Sequence, residues 1–295
     1  MAEHAQQNGP LSAAVADVAS GVALALRGEG GSYALSGLLA ADEAVALAAV
    51  RVLGADVLAP YALDTRAAVA TDSRPSGGAS ARTDPRPYGG PPTHGQPGGG
   101  DRPGAYDRAD PYRHPGPPDG PGSHRGSDGP GSQRGTDESV VRKALAAYPP
   151  KPGASEVSRW SYLGLAEASR VYLPGAGGGW PTPQAGADWV RDDPWPQLAH
   201  RASQLAALCL PDLAPELAEA LAGRTDDLAR GFVRAVRRRD WLQAAGLGRW
   251  LSRMPAVPGS LGLDSGLVFV RRMSGGDPRV ALHLTAAHRF HGLGG

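Results

Sequence analysis

The composition of the chain limits the kind of protein it can be. At 295 residues it is long enough for two ordinary domains of about 150 residues each, and its single cysteine, Cys209, excludes an intrachain disulfide. The formal net charge is +1, but residues 1–70 are net acidic and residues 139–295 net basic. The two ends could therefore attract each other, the basic part could meet an acidic partner, or the difference could be drift in surface charge without a functional role.

Residues 1–70 predict a small acidic module that is rich in Ala, Val and Leu. The segment Asp42–Leu53 has the signals of a helix, because Asp42 can cap its first turn and Gly54 can end it. The apolar residues expected to share one face of this helix are Val45, Ala49 and Val52. A module of this size would have a marginal core alone, so we expect it to pack on the rest of the protein.

The segment Val22–Leu35 leaves two structures open. Apolar residues alternate at its start, and four residues, Gly28 to Gly31, then favour a change of direction. This pattern fits a hairpin, or the end of one helix and the start of another. We expect helix for the first half.

Residues 71–138 have the composition of a disordered linker. They contain no Val, Leu, Ile, Met, Phe, Trp or Cys, and Pro, Gly, Asp and Arg dominate. Such a stretch cannot bury enough apolar surface to offset the entropy cost of ordering its backbone, about 1–2 kcal/mol per residue. We therefore predict a flexible connection between two folded modules.

Residues 139–295 predict a domain of short helices with brief connections. The expected helices are Val140–Tyr148, Glu156–Leu173, Gln197–Leu210, Pro215–Leu221, Thr225–Arg239, Trp241–Met254, Leu263–Met273 and one that begins at Asp277-Pro278. A loop rich in Gly, Pro and Trp is expected at Pro174–Asp193. The predicted fold is mainly α, an irregular helical bundle or a short array of helix pairs.

The N-terminal sequence bears on the compartment. Residues 1–10 contain no Lys or Arg, whereas a secretory signal begins with basic residues. The apolar run Leu11–Leu26 contains Asp17 and is shorter than the roughly 20 residues that span a bilayer. We therefore expect a cytoplasmic protein that does not enter a membrane.

The helix predicted at Thr225–Arg239 carries the most informative surface. At 100° per residue, an apolar face with Leu228 and Phe232 lies opposite a row of arginines. The arginines proposed as a partner- or anion-binding site are Arg230, Arg234, Arg237, Arg238 and Arg239. Guanidinium groups present fixed forks of donors that suit carboxylate and phosphate oxygens. The alternative is a solvated helix face with cations near its C-terminal end.

Tryptophans in or beside the Pro174–Asp193 loop form a second candidate site. Trp180, Trp189 and Trp195 could line a ligand pocket, or could fix the loop on the helical core.

Signatures of catalysis and of cofactor binding do not occur. The sequence contains no phosphate-binding loop, dinucleotide-binding glycine motif, zinc-protease motif, paired-cysteine zinc motif or serine nucleophile elbow. His288 and His291 lie one helical turn apart, but no third metal ligand is visible nearby. Cys209 lies in an apolar run and is expected to be a buried, inert thiol. We predict no cofactor and no metal.

Three classes of function fit this pattern. The leading hypothesis is a non-catalytic interaction or regulatory protein whose Arg-rich helix docks a protein partner, with the linker as a tether. The second is an enzyme or enzyme subunit of unfamiliar helical fold that acts on an anionic substrate in a Trp-lined pocket. The third, which the balanced charge makes unfavourable, is a nucleic-acid-binding protein.

Overall fold

The predicted mainly α fold is confirmed. The computed structural model describes residues 2–29, 32–39, 42–63, 130–173 and 185–291, and no strand occurs among them. In chain order the α-helices are α1 (Ala2–Arg27), α2 (Glu43–Leu53), α3 (Pro130–Ala147), α4 (Glu156–Tyr172), α5 (Asp188–Asp192), α6 (Trp195–Gln204), α7 (Pro215–Ala222), α8 (Thr225–Arg237), α9 (Trp241–Leu251), α10 (Leu263–Met273) and α11 (Pro278–Arg289). Short 3-10 segments lie at Leu35–Leu38, Gly54–Leu58, Ala206–Leu208 and Gly259–Leu261, and residues 59–63 add one further helical turn.

The first helix decides between the two structures left open for Val22–Leu35. Helix α1 continues to Arg27, Gly28 then adopts a positive φ of 75°, and the chain turns into a 3-10 segment instead of a strand. Val22 and Leu26 are fully buried, while Leu24 is exposed. Alternating apolar residues thus lie in a helix here, and no hairpin forms within the described residues.

Helix α2 has the predicted ends but a different buried face. The carboxylate of Asp42 accepts hydrogen bonds from two backbone N–H groups of the first turn, and Gly54 ends the helix with a φ of 60°. The buried residues are Ala46, Ala49, Val50 and Leu53. The predicted face was therefore wrong, since Val52 is exposed and Val45 is only half-buried. The residues of this helix are apolar on nearly all of its sides, so the sequence pattern alone could not show which side faces the core.

Helix α3 begins inside the predicted linker. Residues 71–129 of that linker lie outside the described residues, but residues 130–138 are helical. Asp137 is fully buried and its carboxylate accepts hydrogen bonds from the backbone N–H groups of Leu35 (2.7 Å) and Ser36 (2.8 Å) and from the Tyr61 hydroxyl. The linker boundary at 138 was wrong, because partners about a hundred residues away order a stretch of poor helix-forming composition.

The described residues form one compact unit with a shared core. Helix α1 packs against α2 and against α11, the last helix, while α9 contacts α6, α8, α10 and α11. A central helix with four neighbours, and a first helix on the last, fit an irregular bundle better than a linear array of pairs. The N-terminal helices are thus built into the core, and are not held at variable reach by a tether.

Most helices of the C-terminal part lie where they were predicted, with shifted ends. Helix α10 has the predicted bounds, and α11 begins after Asp277, whose carboxylate accepts from the N–H groups of Arg279 and Val280. The helix expected at Gln197–Leu210 ends at Gln204 and is followed by a 3-10 turn. Of the predicted loop at Pro174–Asp193, residues 174–184 lie outside the described part, and the remainder contains α5.

Two helical stretches pass a length and composition test for crossing a membrane. They are Gly9–Arg27 and Glu43–Leu63. The first is longer than the apolar run Leu11–Leu26 that the sequence shows. Of the most apolar 18 residues, 39% are buried inside the protein in the first stretch and 67% in the second. The core helix of a soluble protein and a signal sequence near the N-terminus pass the same test, so two such stretches are weak evidence for a membrane span.

Candidate functional site

Helix α8 presents the predicted row of arginines to solvent. Its inner side buries Leu228, Phe232 and Ala235, as the helical spacing predicts. The helix begins at Thr225 without a side-chain cap, and Asp226 and Asp227 lie in its first turn, where the helix dipole favours carboxylates. The arginines of the last turns lie at the opposite end, where the same dipole favours cations.

The arginines of α8 differ in their partners. Arg230 donates to the Asp227 carboxylate at 3.3 Å, which also accepts a 2.6 Å hydrogen bond from Arg224. Arg234, Arg237 and Arg238 are exposed and form no ion pair with any carboxylate of the described residues. These three charges are therefore not neutralised by the part of the protein that the structure describes.

An open groove of about 960 Å³ runs along this face, and we call it the arginine groove. Its lining residues are Trp195, Asp226, Ala229, Arg230, Val233, Arg234, Arg237, Arg238, Pro258, Ser260 and Leu261. The guanidinium of Arg234 lies over the Trp195 ring, 5.7 Å from its centroid, in a cation–π contact that orients both side chains. The groove thus combines four guanidinium groups and one carboxylate with the apolar side chains of Ala229, Val233, Pro258 and Leu261.

Arg239, the fifth predicted arginine, does not line the groove. It follows the end of α8 with a φ of 60°, in a left-handed conformation that disfavours side chains other than glycine. Its N–H donates to Val236 O (3.1 Å), and the next N–H, of Asp240, donates to Ala235 O (3.0 Å). These two bonds are those of a Schellman motif, so Arg239 occupies a helix-capping position.

The predicted tryptophan pocket is divided by the structure. Trp195 lines the arginine groove, whereas Trp189 is 7% exposed and is absent from the groove lining. The guanidinium of Arg201 lies 5.6 Å from the centre of the Trp189 ring and covers it. Trp180 lies outside the described residues. The sequence pattern predicted the arginines and the tryptophans as two separate sites. In the structure, Trp195 of α6 lies beside the arginines of α8.

A buried charge cluster was missed in the sequence. It consists of Asp56, Arg249 and His283, which come from the 3-10 segment after α2, from α9 and from α11. Arg249 Nη1 donates to Asp56 Oδ1 at 2.6 Å and lies 3.2 Å from His283 Nδ1, while His283 Nδ1 and Asp56 Oδ2 are 3.6 Å apart. Exposure is 1–2% for Arg249 and Asp56 and 9% for His283. The available signal was a single titratable residue within each of three apolar runs.

The contacts of this cluster set the state of His283. The pKa of the imidazole is lowered to about 4, chiefly by burial; the Asp56 and Asp277 carboxylates raise it, and Arg249 and Arg279 lower it. The ring is therefore neutral at neutral pH. Because a guanidinium has no acceptor, its contact with Nδ1 requires that nitrogen to accept, so the ring proton is on Nε2.

The remaining sequence candidates are structural or lie apart. Cys209 is fully buried, its Sγ donates to Arg249 O at 3.3 Å, and burial raises the pKa of its thiol, as expected for an inert side chain. His288 and His291 are exposed. No group of three or more His, Cys, Asp or Glu residues in the described parts of the chain is arranged to hold a metal.

Comparisons with known proteins give no family. No protein-family model, curated protein or solved structure matches the chain.

Proposed function

We propose that the chain is a non-catalytic interaction or regulatory protein that docks an acidic segment of a partner protein in the arginine groove. The observation that carries the proposal is that Arg234, Arg237 and Arg238 are exposed, form no ion pair among the described residues, and line a groove together with apolar side chains. Charges of one sign along a cleft attract and orient a ligand of the other sign. We place this interaction in the cytoplasm.

The dimensions of the groove favour a short extended peptide. Its lining residues on α8 run from Asp226 to Arg238, a rise of about 18 Å at 1.5 Å per residue. An extended chain covers that distance with about five residues at 3.3 Å each. The carboxylates of such a segment would meet the arginines, and an apolar side chain would contact Val233 and Leu261, which both line the groove.

The groove is poorly equipped for catalysis. Guanidinium groups donate hydrogen bonds but offer no acceptor, and the carboxylate and hydroxyl groups of the lining are those of Asp226 and Ser260. A nucleophile with an adjacent base, or a pair of carboxylates, would favour the enzyme hypothesis. The lining offers neither, so a binding role is the better explanation of the groove.

Fluorescence anisotropy with a labelled peptide that alternates glutamate and leucine would test the proposal. The peptide should bind the full-length protein, and a matched peptide of lysine and leucine should not. Replacing Arg237 and Arg238 together by Glu should weaken binding about tenfold or more, because charge-assisted hydrogen bonds become like-charge repulsion.

A control pair of arginines makes this test specific. Arg271 and Arg272 lie in the last turn of α10 and are exposed, so replacing both by Glu changes the net charge equally at another helix end. This variant should bind the acidic peptide within about twofold of the wild type. Equal losses in both double variants would contradict a specific groove, and tighter binding of single-stranded DNA than of the peptide would favour the nucleic-acid hypothesis.

A further inference from the structure

A second opening, separate from the arginine groove, lies in front of the buried charge cluster, and we call it the polar cavity. It has a volume of about 260 Å³ and is enclosed by α2, α4, α6, α9 and α11. Nine of its 14 lining residues are polar: Asp56, Ser161, His200, Ser203, Gln204, Asp240, Gln243, Arg279 and His283. A cavity of this composition is suited to a small polar ligand.

Two hydrogen-bond donors of the cavity lie side by side on α11. Arg279 and His283 are four residues apart on one helix and therefore occupy the same face. Arg279 is half-buried and its guanidinium forms no ion pair within the described residues. The His283 proton is on Nε2, and that nitrogen has no hydrogen-bond partner in the same part of the chain.

The charge cluster behind the cavity is costly and contributes little to stability. The Arg249 side chain is only 1% exposed, so water does not reach it, and yet its Nε and Nη2 atoms have no hydrogen-bond partner among the described residues. Replacing a buried ion pair by apolar residues is often neutral or stabilising, so stability is a weak explanation for the presence of this cluster. It does fix the tautomer of His283 and neutralises Asp56, and both effects favour an anion in front of them.

We propose that the polar cavity binds a small monocarboxylate, with its oxygens between Arg279 and His283. The guanidinium supplies the forked donor that a carboxylate fits, and the Nε2–H of the imidazole supplies another donor. The Ser161 hydroxyl accepts from Arg51 at 3.0 Å and keeps its own proton to donate. The amides of Gln204 and Gln243 offer both donors and acceptors to a hydroxyl group of the ligand.

The surrounding carboxylates favour a single negative charge. Asp56 is compensated by Arg249, but Asp240 also lines the cavity, and its Oδ1 accepts from the Gln243 N–H at 3.1 Å. Asp277, which caps α11, is close enough to raise the pKa of His283. A dianion such as phosphate would be repelled more strongly. The volume corresponds to about nine water molecules at roughly 30 Å³ each, which limits the ligand to a few carbon atoms.

A titration of the full-length protein with sodium lactate, followed by the imidazole NMR signals of His283, tests the proposal. Lactate should shift these signals saturably, and sodium chloride at equal ionic strength should not. Arg279→Gln should weaken lactate binding about tenfold or more. Arg272→Gln, which removes an exposed arginine of α10, should leave it unchanged.

A cavity-filling variant provides a second measurement that keeps Arg279. Ala207 lines the polar cavity, and Ala207→Leu should block lactate while circular dichroism shows a folded protein. Absence of a saturable shift in the wild type would overturn the proposal, as would unchanged binding in folded Arg279→Gln or Ala207→Leu. Binding of inorganic phosphate in preference to lactate would overturn the assignment to a monocarboxylate. None of these results depends on the arginine groove.

Discussion

Acidification should destabilise the protein through His283. The pKa of this buried histidine is lowered from 6.5 to about 4, chiefly because burial disfavours its charged form. In the unfolded chain the same side chain takes up a proton as the pH falls through 6.5. Protons therefore favour the unfolded state between these two values. The stabilisation is complete above about pH 6.5 and is lost as the pH falls towards 4.

The size of this effect follows from the difference between the two pKa values. Each pKa unit corresponds to 1.36 kcal/mol, so a difference of about 2.5 corresponds to a loss of about 3 kcal/mol of unfolding free energy over this window. That is a large part of the total stability of an ordinary domain, about 5–15 kcal/mol.

Urea denaturation between pH 4 and 7, followed by circular dichroism, measures the effect. His283→Gln loses the contact with Arg249 and should be less stable at neutral pH, but its stability should fall less on acidification than that of the wild type. The acidic residues that both proteins share cancel in this comparison. His288→Gln, which removes an exposed histidine of the same helix, should keep the wild-type slope. Parallel curves for wild type and His283→Gln would refute the reasoning.

Three further substitutions probe the charge cluster, a helix end and a helix contact by the same denaturation assay. Arg249→Met leaves Asp56 buried without its counter-charge and should cost about 3–5 kcal/mol, most of which Asp56→Leu should recover; no recovery would contradict the ion-pair explanation. Arg239→Gly should add about 1 kcal/mol by relieving a left-handed conformation, with acidic-peptide binding unchanged, and a loss of stability would contradict it. Gly246→Ala should cost about 1–3 kcal/mol, because a Cβ there would lie 2.7 Å from the backbone oxygen of Ser203. A gain of about 1 kcal/mol from helix propensity would show instead that α9 can move.

Helix ends were predictable from the sequence where their signals are local. Asp42 and Asp277 bond to backbone N–H groups two and three residues later, so the pattern that caps the helix lies within one turn of sequence. The N-terminal half of α3 is held instead through Asp137, whose partners Leu35 and Tyr61 are distant in sequence. Local composition therefore assigned this segment to the linker, and only the packed N-terminal helices make it ordered.

The candidate site was likewise predictable only where its signals are local in the sequence. The row of arginines on α8 follows from helical periodicity, since the opposite face of that helix is apolar and becomes buried. The groove additionally requires Trp195 and Leu261, which α6 and the loop before α10 bring to the arginines. Nothing within α8 indicates these neighbours, and Arg239 was included because the left-handed turn at the helix end was not foreseen.

The contrast between the arginines of α8 and Arg249 shows which sequence signal was overlooked. Residues 244–251 of α9 are all buried, so this helix is surrounded by protein on every side. A charged residue in such a helix cannot reach solvent and must find an opposite charge elsewhere in the chain. Asp56 and His283 are correspondingly single polar residues within apolar runs. The identity of the partners, 193 residues apart for Asp56 and Arg249, required the fold. What the sequence of α9 offers is one charged residue, Arg249, within an otherwise apolar stretch, and such a residue predicts a partner of opposite charge if the helix is buried.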